Sequence, residues 1–354
     1  MKSKKTTKRV FIKGNQAVVE AAIDAGCRFY VGYPITPQNE IPEYMSQRMT
    51  ESGGTFIQAE SELISINMVF GASVAGSRAM TSSSSPGISL MQEGISYMAA
   101  CELPGVIVNV QRGGPGLGNI APSQADYFQA TKPGHGDYHI IVVAPSNIQE
   151  LYELTFEAFD LADMYRIPVM VLADGLLGQM MENIEFKKNK KTKKLSISKE
   201  WALTGAKNRK GQRIVSLLMK QGALEEHNYH LQKKYNKIIQ NELRFETVNI
   251  TKDTDCLVVA FGTVARIAKG TINSANGMNI GLFRPISVWP FPYESLKEAV
   301  KNIKKVFVFE MNMGQMLEDV KIAIQGKAEI EFYGRPGGGV PSSEELLQFI
   351  KERL

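Results

Sequence analysis

The chain has 354 residues, of which 44% are hydrophobic, and a formal net charge of +5. Such a length supports a sizeable core and predicts about two domains, while no apolar run is long enough to cross a bilayer as a helix, which excludes an integral helical membrane protein. The basic excess gathers in Lys187, Lys188, Lys190, Lys191, Lys193 and Lys194 with no aromatic residues interleaved, so it reads as a solvated linker or hairpin and not as a nucleic-acid surface.

In chain order, Met1 to Arg9 is basic but leads directly into Val10-Phe11-Ile12-Lys13 without a signal-peptide core, so a soluble, cytoplasmic protein is expected. Gly14 to Ala25 is rich in small and apolar residues and predicts a helix that packs closely on a sheet. Phe29-Tyr30-Val31-Gly32 predicts a strand closing on Tyr33-Pro34-Ile35-Thr36-Pro37, where two prolines stiffen a loop that presents Thr36 at the strand end. Glu62 to Ala75 predicts a second small-residue helix, and Ser146 with Glu150 opens a third. Short β-rich runs at Ala79 to Ser82, Gly105 to Val110, His139 to Val143 and Pro168 to Leu172 alternate with these helical segments, the rhythm of a parallel α/β sheet covered on both faces.

From about Glu185 to Ile250 the composition turns polar and lysine-rich, and within it Leu224, Leu231, Tyr235, Ile238 and Leu243 fall near helical spacing, predicting one amphipathic helix. Beyond Asp253 the α/β rhythm resumes with runs at Cys256 to Gly262, Asn279 to Phe283 and Val306 to Phe309, and a Ser342 and Glu345 capping box opens the last helix. The expected division is a first α/β domain over 1–185, a connector over 186–250 and a second α/β domain over 251–354.

Several chemistries are excluded by spacing. Cys27, Cys101 and Cys256 are too scattered for a disulfide framework, a zinc site or an iron–sulfur site. Gly114-Pro115-Gly116-Leu117-Gly118 misplaces the third glycine of a dinucleotide loop, and no Gly-Lys-Ser/Thr follows a glycine run, so neither NAD nor ATP is indicated. His135 and His139 are four apart, but Pro133 and Gly134 argue against a helix that would align them as metal ligands, and Ser82 to Ser85 lacks a nucleophile elbow.

Three segments carry a family resemblance: Tyr33-Pro34-Ile35-Thr36-Pro37, Gln58-Ala59-Glu60-Ser61-Glu62 and Gln111-Arg112-Gly113-Gly114-Pro115-Gly116. In order and spacing they resemble the pyrimidine-binding domain in the alpha subunit of 2-oxoacid:ferredoxin oxidoreductases, enzymes that use thiamine diphosphate. Gly281 to Pro292 and Glu310-Met311-Asn312-Met313-Gly314-Gln315 resemble the transketolase C-terminal-like domain of the same subunits, so the likeness covers all but the connector. The stretch from Arg112 to Asn119, followed by Pro122 to Lys132, looks like the branched-chain type acting on 3-methyl-2-oxobutanoate; the alternatives are a 2-oxoglutarate or pyruvate type, a transketolase-like or decarboxylase subunit, or a non-catalytic scaffold chain.

The resemblance implies roles for particular residues. Glu62 would be the carboxyl that hydrogen-bonds the aminopyrimidine N1′ of thiamine diphosphate and activates it, with Glu60 as the neighbouring competitor. Thr36 and Arg112 would contact the 2-oxoacid, for which a guanidinium fork is suited, and Tyr33, Pro34 and Ile35 would wall the cofactor. Asp174-Gly175 resembles the start of the thiamine-diphosphate metal motif, yet Asn183 comes too soon to complete it. The diphosphate and Mg2+ half of the site is therefore expected on a beta subunit, with small gamma and iron–sulfur delta subunits passing electrons to ferredoxin and coenzyme A accepting the acyl group.

Overall fold

The computed structural model describes residues 9–186, 198–275 and 277–354. The lysine run from Lys187 to Lys194 lies outside the described residues. In chain order the strands are β1 (Arg9–Lys13), β2 (Phe29–Gly32), β3 (Thr55–Gln58), β4 (Ala79–Ser83), β5 (Gly105–Gln111), β6 (Ile141–Val143), β7 (Pro168–Asp174), β8 (Met181–Glu185), β9 (Phe245–Val248), β10 (Cys256–Val259), β11 (Ile280–Pro285), β12 (Ser287–Trp289), β13 (Lys305–Glu310) and β14 (Glu329–Gly334). Among the described residues no helix is long and apolar enough to cross a membrane.

A seven-stranded sheet runs in the order β12-β6-β7-β5-β4-β2-β3, and all its pairs are parallel except β12 with β6. Every residue of β5 and of β7 is buried, as expected of central parallel strands with helices on both faces. A five-stranded sheet runs β14-β13-β10-β11-β9, parallel except for β9 at its edge. The mixed α/β architecture is the one read from the alternating runs.

The two sheets are laced together. Strand β9 reaches the second sheet from the polar segment, and β12, one residue after β11, crosses to pair with β6 of the first sheet. The amphipathic helix forms over Ala223–Asn241 and buries Leu231, Tyr235 and Ile238, while Leu224 lies exposed at its start and Leu243 falls beyond its end. Lys234 Nζ donates to Glu102 Oε1 at 3.1 Å and pins that helix to the first sheet's periphery. The run at Cys256 to Gly262 divides: β10 stops at Val259, and Gly262, at φ 55, turns the chain into the next helix. The capping box at Ser342 and Glu345 forms as read.

Arg284 on β11 is fully buried and joins the two units. Its guanidinium donates to Glu150 at 2.9 and 2.5 Å, and to Glu246 at 2.8 Å, where Lys269 also binds. Glu150 further accepts from the Ser146 amide at 2.9 Å, so one carboxylate closes the start of the Ile148–Tyr165 helix and neutralises a cation of the second sheet. Burial pushes the Glu150 pKa up, but the hydrogen bonds and charge of Arg284 outweigh it and the net direction is down.

Because the folded-state pKa of Glu150 is depressed, its contribution is fully present above the unfolded-state value and is lost as pH falls through the folded one. Glu150→Gln is expected to destabilise near neutral pH by an amount toward the low end of about 3–5 kcal/mol, since Glu150 is partly exposed. Chemical denaturation of both proteins across pH would show the gap shrinking below about pH 4; a gap independent of pH would contradict this.

Candidate active site

In the parallel sheet the C-terminal ends of β2, β3, β4 and β5 lie along one edge, the place where open α/β sheets hold ligands. The loop after β2 carries Tyr33 to Pro37, β3 leads into Glu62, β4 ends in Ser83, and β5 leads into Arg112. The sheet order therefore assembles on one edge the segments that the sequence separates by about twenty to fifty residues each.

The Tyr33 to Pro37 loop is stapled from below. Gln38 Nε2 donates to the Tyr33 carbonyl at 3.2 Å, while Gln38 Oε1 accepts from Ser82 Oγ at 2.6 Å, which in turn lies 2.7 Å from the Tyr30 hydroxyl. Asn15 and Gln179 both donate to the Pro37 carbonyl at 2.9 Å. Tyr33 and Pro34 remain exposed, and Ile35 and Thr36 are half-buried. The Thr36 hydroxyl accepts from Asn39 Nδ2 at 3.1 Å.

Glu62 is the first residue of the Glu62–Val74 helix, whose N-cap Ser61 accepts from the Ile64 amide. It is only 4% exposed, whereas Glu60 two residues earlier is exposed. Ser83 Oγ donates to Glu62 Oε1 at 3.1 Å, and the positive end of the helix also favours a carboxylate there. Gly87, in the first turn of the Pro86–Ala100 helix, closes the pocket: a Cβ at that position would lie 2.3 Å from Glu62 Oε1 and 2.1 Å from Ser83 Oγ. Only glycine lets this helix approach the carboxylate so closely.

Arg112 leaves β5 half-buried, and its guanidinium donates to the carbonyls of Thr36 and Leu117, each at 3.0 Å. The structure thus brings Thr36 and Arg112 together directly, and it links both to Glu62 through the Ser83 to Ser85 segment. Arg112 Nε is buried without a hydrogen-bond partner. A buried donor left unpaired costs about 1–3 kcal/mol, so this N–H favours an incoming acceptor such as a carboxylate. The loop beyond Arg112 folds tightly, and a Cβ on Gly118, at φ 55, would fall 1.7 Å from the Gly113 carbonyl oxygen.

Behind Arg112 lies a polar node that the sequence reading did not assign. Ser85 Oγ contacts Asp126 Oδ2 at 2.6 Å and the Arg112 amide at 3.0 Å, and Asn109 Nδ2 donates to the same Asp126 oxygen at 2.9 Å. Burial pushes the Asp126 carboxyl above the usual range, against the Ser85 and Asn109 hydrogen bonds and the Arg112 charge. Ser83, Ser85 and Gly87 stand in a Ser-Ser-Ser-Pro-Gly turn at a strand end, whose individual contacts no local motif announced. Asp126 had no local signal.

The second unit supplies the far wall of a cleft of about 560 Å3 lined by Ser85, Pro115, Asp126, Gln129, Asn312, Met313 and Gly337 among others. Gln124 fixes that wall. Its side chain accepts from the Met311 amide at 3.1 Å and donates to the Phe261 carbonyl at 2.8 Å, and its carbonyl accepts from Asn312 Nδ2 at 2.8 Å. Glu310, buried beneath, accepts from the Met316 and Leu317 amides and from Asn312, and burial lifts its pKa to about 7 despite them. Asp174 is spent on structure, capping Leu176 and Leu177 and accepting from Thr263 Oγ1 at 2.5 Å. Among the described residues no group of three or more His, Cys, Asp or Glu converges to hold a metal ion.

Comparison with known proteins places this geometry in a family. Residues 20–249 match the model for the thiamine-diphosphate-binding domain of pyruvate flavodoxin/ferredoxin oxidoreductases, and residues 254–346 match core domain II of pyruvate:ferredoxin oxidoreductase. The chain is 45% identical over 344 residues to the ketoisovalerate oxidoreductase subunit VorB of Methanothermobacter marburgensis, covering 96% of this chain and 97% of that one. It is 36% identical to the 2-oxoglutarate synthase subunit KorA of Methanothermobacter thermautotrophicus, covering 97% and 98%. A solved 2-oxoglutarate:ferredoxin oxidoreductase from Magnetococcus marinus, with 2-oxoglutarate, coenzyme A and succinyl-CoA bound, superposes with a TM-score of 0.85 at 27% identity, over 99% of this chain and 66% of that chain. Two domain models matched in order, and a likeness sustained almost end to end, establish that this chain belongs to the 2-oxoacid:ferredoxin oxidoreductase family and corresponds to a subunit of those enzymes.

Proposed function

We propose that this chain is the alpha subunit of a thiamine-diphosphate-dependent 2-oxoacid:ferredoxin oxidoreductase that oxidatively decarboxylates 3-methyl-2-oxobutanoate with coenzyme A. The observation that carries the reading is Glu62, a buried carboxylate at the sheet's C-terminal edge with Glu60 turned to solvent. The Glu62 pocket fits a ring nitrogen: it offers one acceptor-rich group, a single hydroxyl donor from Ser83, and a glycine floor at Gly87. Thiamine diphosphate, when bound, supplies the nucleophilic carbon for attack on a 2-oxoacid carbonyl. Glu62 would hold a proton at its N1′, while Tyr33, Pro34 and Ile35 would line the ring from the loop after β2.

Arg112 and Thr36 would bind the substrate end. The unpaired Arg112 Nε–H is a donor available to a carboxylate, and the Thr36 backbone steadies the same guanidinium. Selection for a branched aliphatic oxoacid follows from what surrounds Arg112. Gly113 to Ala130 contains no Lys or Arg, Leu117 is 81% exposed at the loop tip, and Lys132 is drawn aside by Glu318 at 3.4 Å and by the Phe128 ring. A second carboxylate such as that of 2-oxoglutarate would find no free cation on this loop, and burying it unpaired is strongly unfavourable.

The rest of the enzyme would lie on other chains. Asp174 is engaged in capping, and a beta subunit would hold the diphosphate and Mg2+; gamma and iron–sulfur delta subunits would pass electrons to ferredoxin. The subunit names of the relatives support an assembly of several chains.

Two outcomes test this function on the assembled enzyme. Glu62→Gln keeps size but removes the ionisable group, so turnover should fall by about a hundredfold to ten-thousandfold with folding intact; near-full turnover, with Glu60→Gln inactive, would contradict the assignment. Steady-state rates across an oxoacid series should give the highest kcat/KM for 3-methyl-2-oxobutanoate, with related branched oxoacids close behind because one methylene is worth only about 1–3 kcal/mol. Arg112→Ala should impair all of them together; a higher kcat/KM for 2-oxoglutarate would contradict the substrate assignment.

A further inference from the structure

Ser85 has a backbone conformation that L-residues avoid. At φ 23 and ψ −80 it lies outside the favoured regions, and the following Pro86 occupies the first turn of the helix. Local strain of this kind persists only where surrounding contacts over-determine it. The contacts here are specific. The Ser85 hydroxyl has one proton, and the 2.6 Å contact to Asp126 Oδ2 is where that proton goes, leaving the oxygen free to accept from the Arg112 amide at 3.0 Å. Asn109 closes the ring, donating to the same Asp126 oxygen at 2.9 Å and accepting from the Ser85 amide at 3.3 Å.

The direction of this chain of bonds matters. A buried carboxylate fixes the orientation of a hydroxyl, the hydroxyl fixes a backbone amide, and that amide belongs to the residue whose guanidinium faces the substrate edge. Asp126 makes no side-chain hydrogen bond to the Arg112 guanidinium, which is held instead by the Thr36 and Leu117 carbonyls. Without the node, the Arg112 amide would lose its Ser85 acceptor and its side chain would hang only from the Thr36 and Leu117 carbonyls.

We propose that Asp126 is a positioning residue for 2-oxoacid binding, acting through the Ser85 hydroxyl to set the backbone from which Arg112 reaches the substrate. The inference rests on the reading that Arg112 binds the substrate carboxylate. Asp126 acts as an acceptor in this role, so an amide that accepts the same two hydrogen bonds serves in its place.

Steady-state kinetics on the assembled enzyme with 3-methyl-2-oxobutanoate test this, with Arg112→Ala as the reference. Asp126→Ala should raise the oxoacid KM by about tenfold, the scale of one lost buried hydrogen bond, and change kcat by less than about threefold. Ser85→Ala should reproduce that KM rise, and the double variant Ser85→Ala with Asp126→Ala should be no worse than either single one, because both break one chain of contacts. Asp126→Asn should restore a KM close to that of the unaltered enzyme. If Asp126→Ala does not assemble, Ser85→Ala and Asp126→Asn carry the same test. An unchanged KM in Ser85→Ala, additive effects in the double variant, or Asp126→Asn as damaging as Asp126→Ala would overturn the positioning role while Arg112→Ala still raised KM. An Arg112→Ala enzyme with unchanged KM would overturn the carboxylate reading and this inference with it.

Discussion

Burying a carboxylate at the start of a helix is costly unless donors and a favourable field compensate, and the C-terminal edge of the larger sheet is organised around that cost at Glu62. The compensation is local and small in number: a hydroxyl from Ser83, and the N-terminal end of the Glu62–Val74 helix. Gly87 makes it possible, since any side chain there would collide with the carboxylate. The result is a carboxylate shielded from water, in contrast to the exposed Glu60 two residues earlier.

The same economy governs the rest of the edge. Arg112 is held by backbone carbonyls, not by a carboxylate, so its charge is left without a paired anion. The nearby buried carboxylate, Asp126, is tied to Ser85 and Asn109, and the other buried carboxylates are likewise engaged, Asp174 by Thr263 and a helix start and Glu310 by the amides of the Met316–Ile324 helix. The Asp174 contact to Thr263 also fastens the second unit to the first. Gln124 bridges to Met311 and Phe261, and Arg284 bridges Glu150 to Glu246, so the cleft wall contributed by Asn312 and Met313 is set by polar contacts across the two sheets.

What was legible in the sequence follows physical reach. Central strands such as β5 and β7 are long, continuous apolar runs and declare themselves, and the capping box at Ser342 and Glu345 is a four-residue signal. Edge strands do not: β3 and β9 are four residues long and partly exposed, and β12 is three residues long with a partner more than a hundred residues away. The segments carrying Thr36, Glu62 and Arg112 could be read because their local motifs matched a family, and Glu62 could be preferred over Glu60 because the register of that family motif falls on it. The Asp126 to Ser85 contact, the Gln124 clamp and the withdrawal of Lys132 by Glu318 could not, since each depends on a partner brought close only by the sheet order.

The proposed function gives this chain half of a shared cofactor site, the aminopyrimidine half built on Glu62. Isothermal titration calorimetry with thiamine diphosphate and Mg2+ tests it most directly, comparing the isolated chain with the chain assembled on its diphosphate-binding partner. The isolated chain should bind weakly, and the assembly should bind tightly and Mg2+-dependently, with Glu62→Gln weakening that binding. Tight, Mg2+-dependent binding to the isolated chain would contradict it.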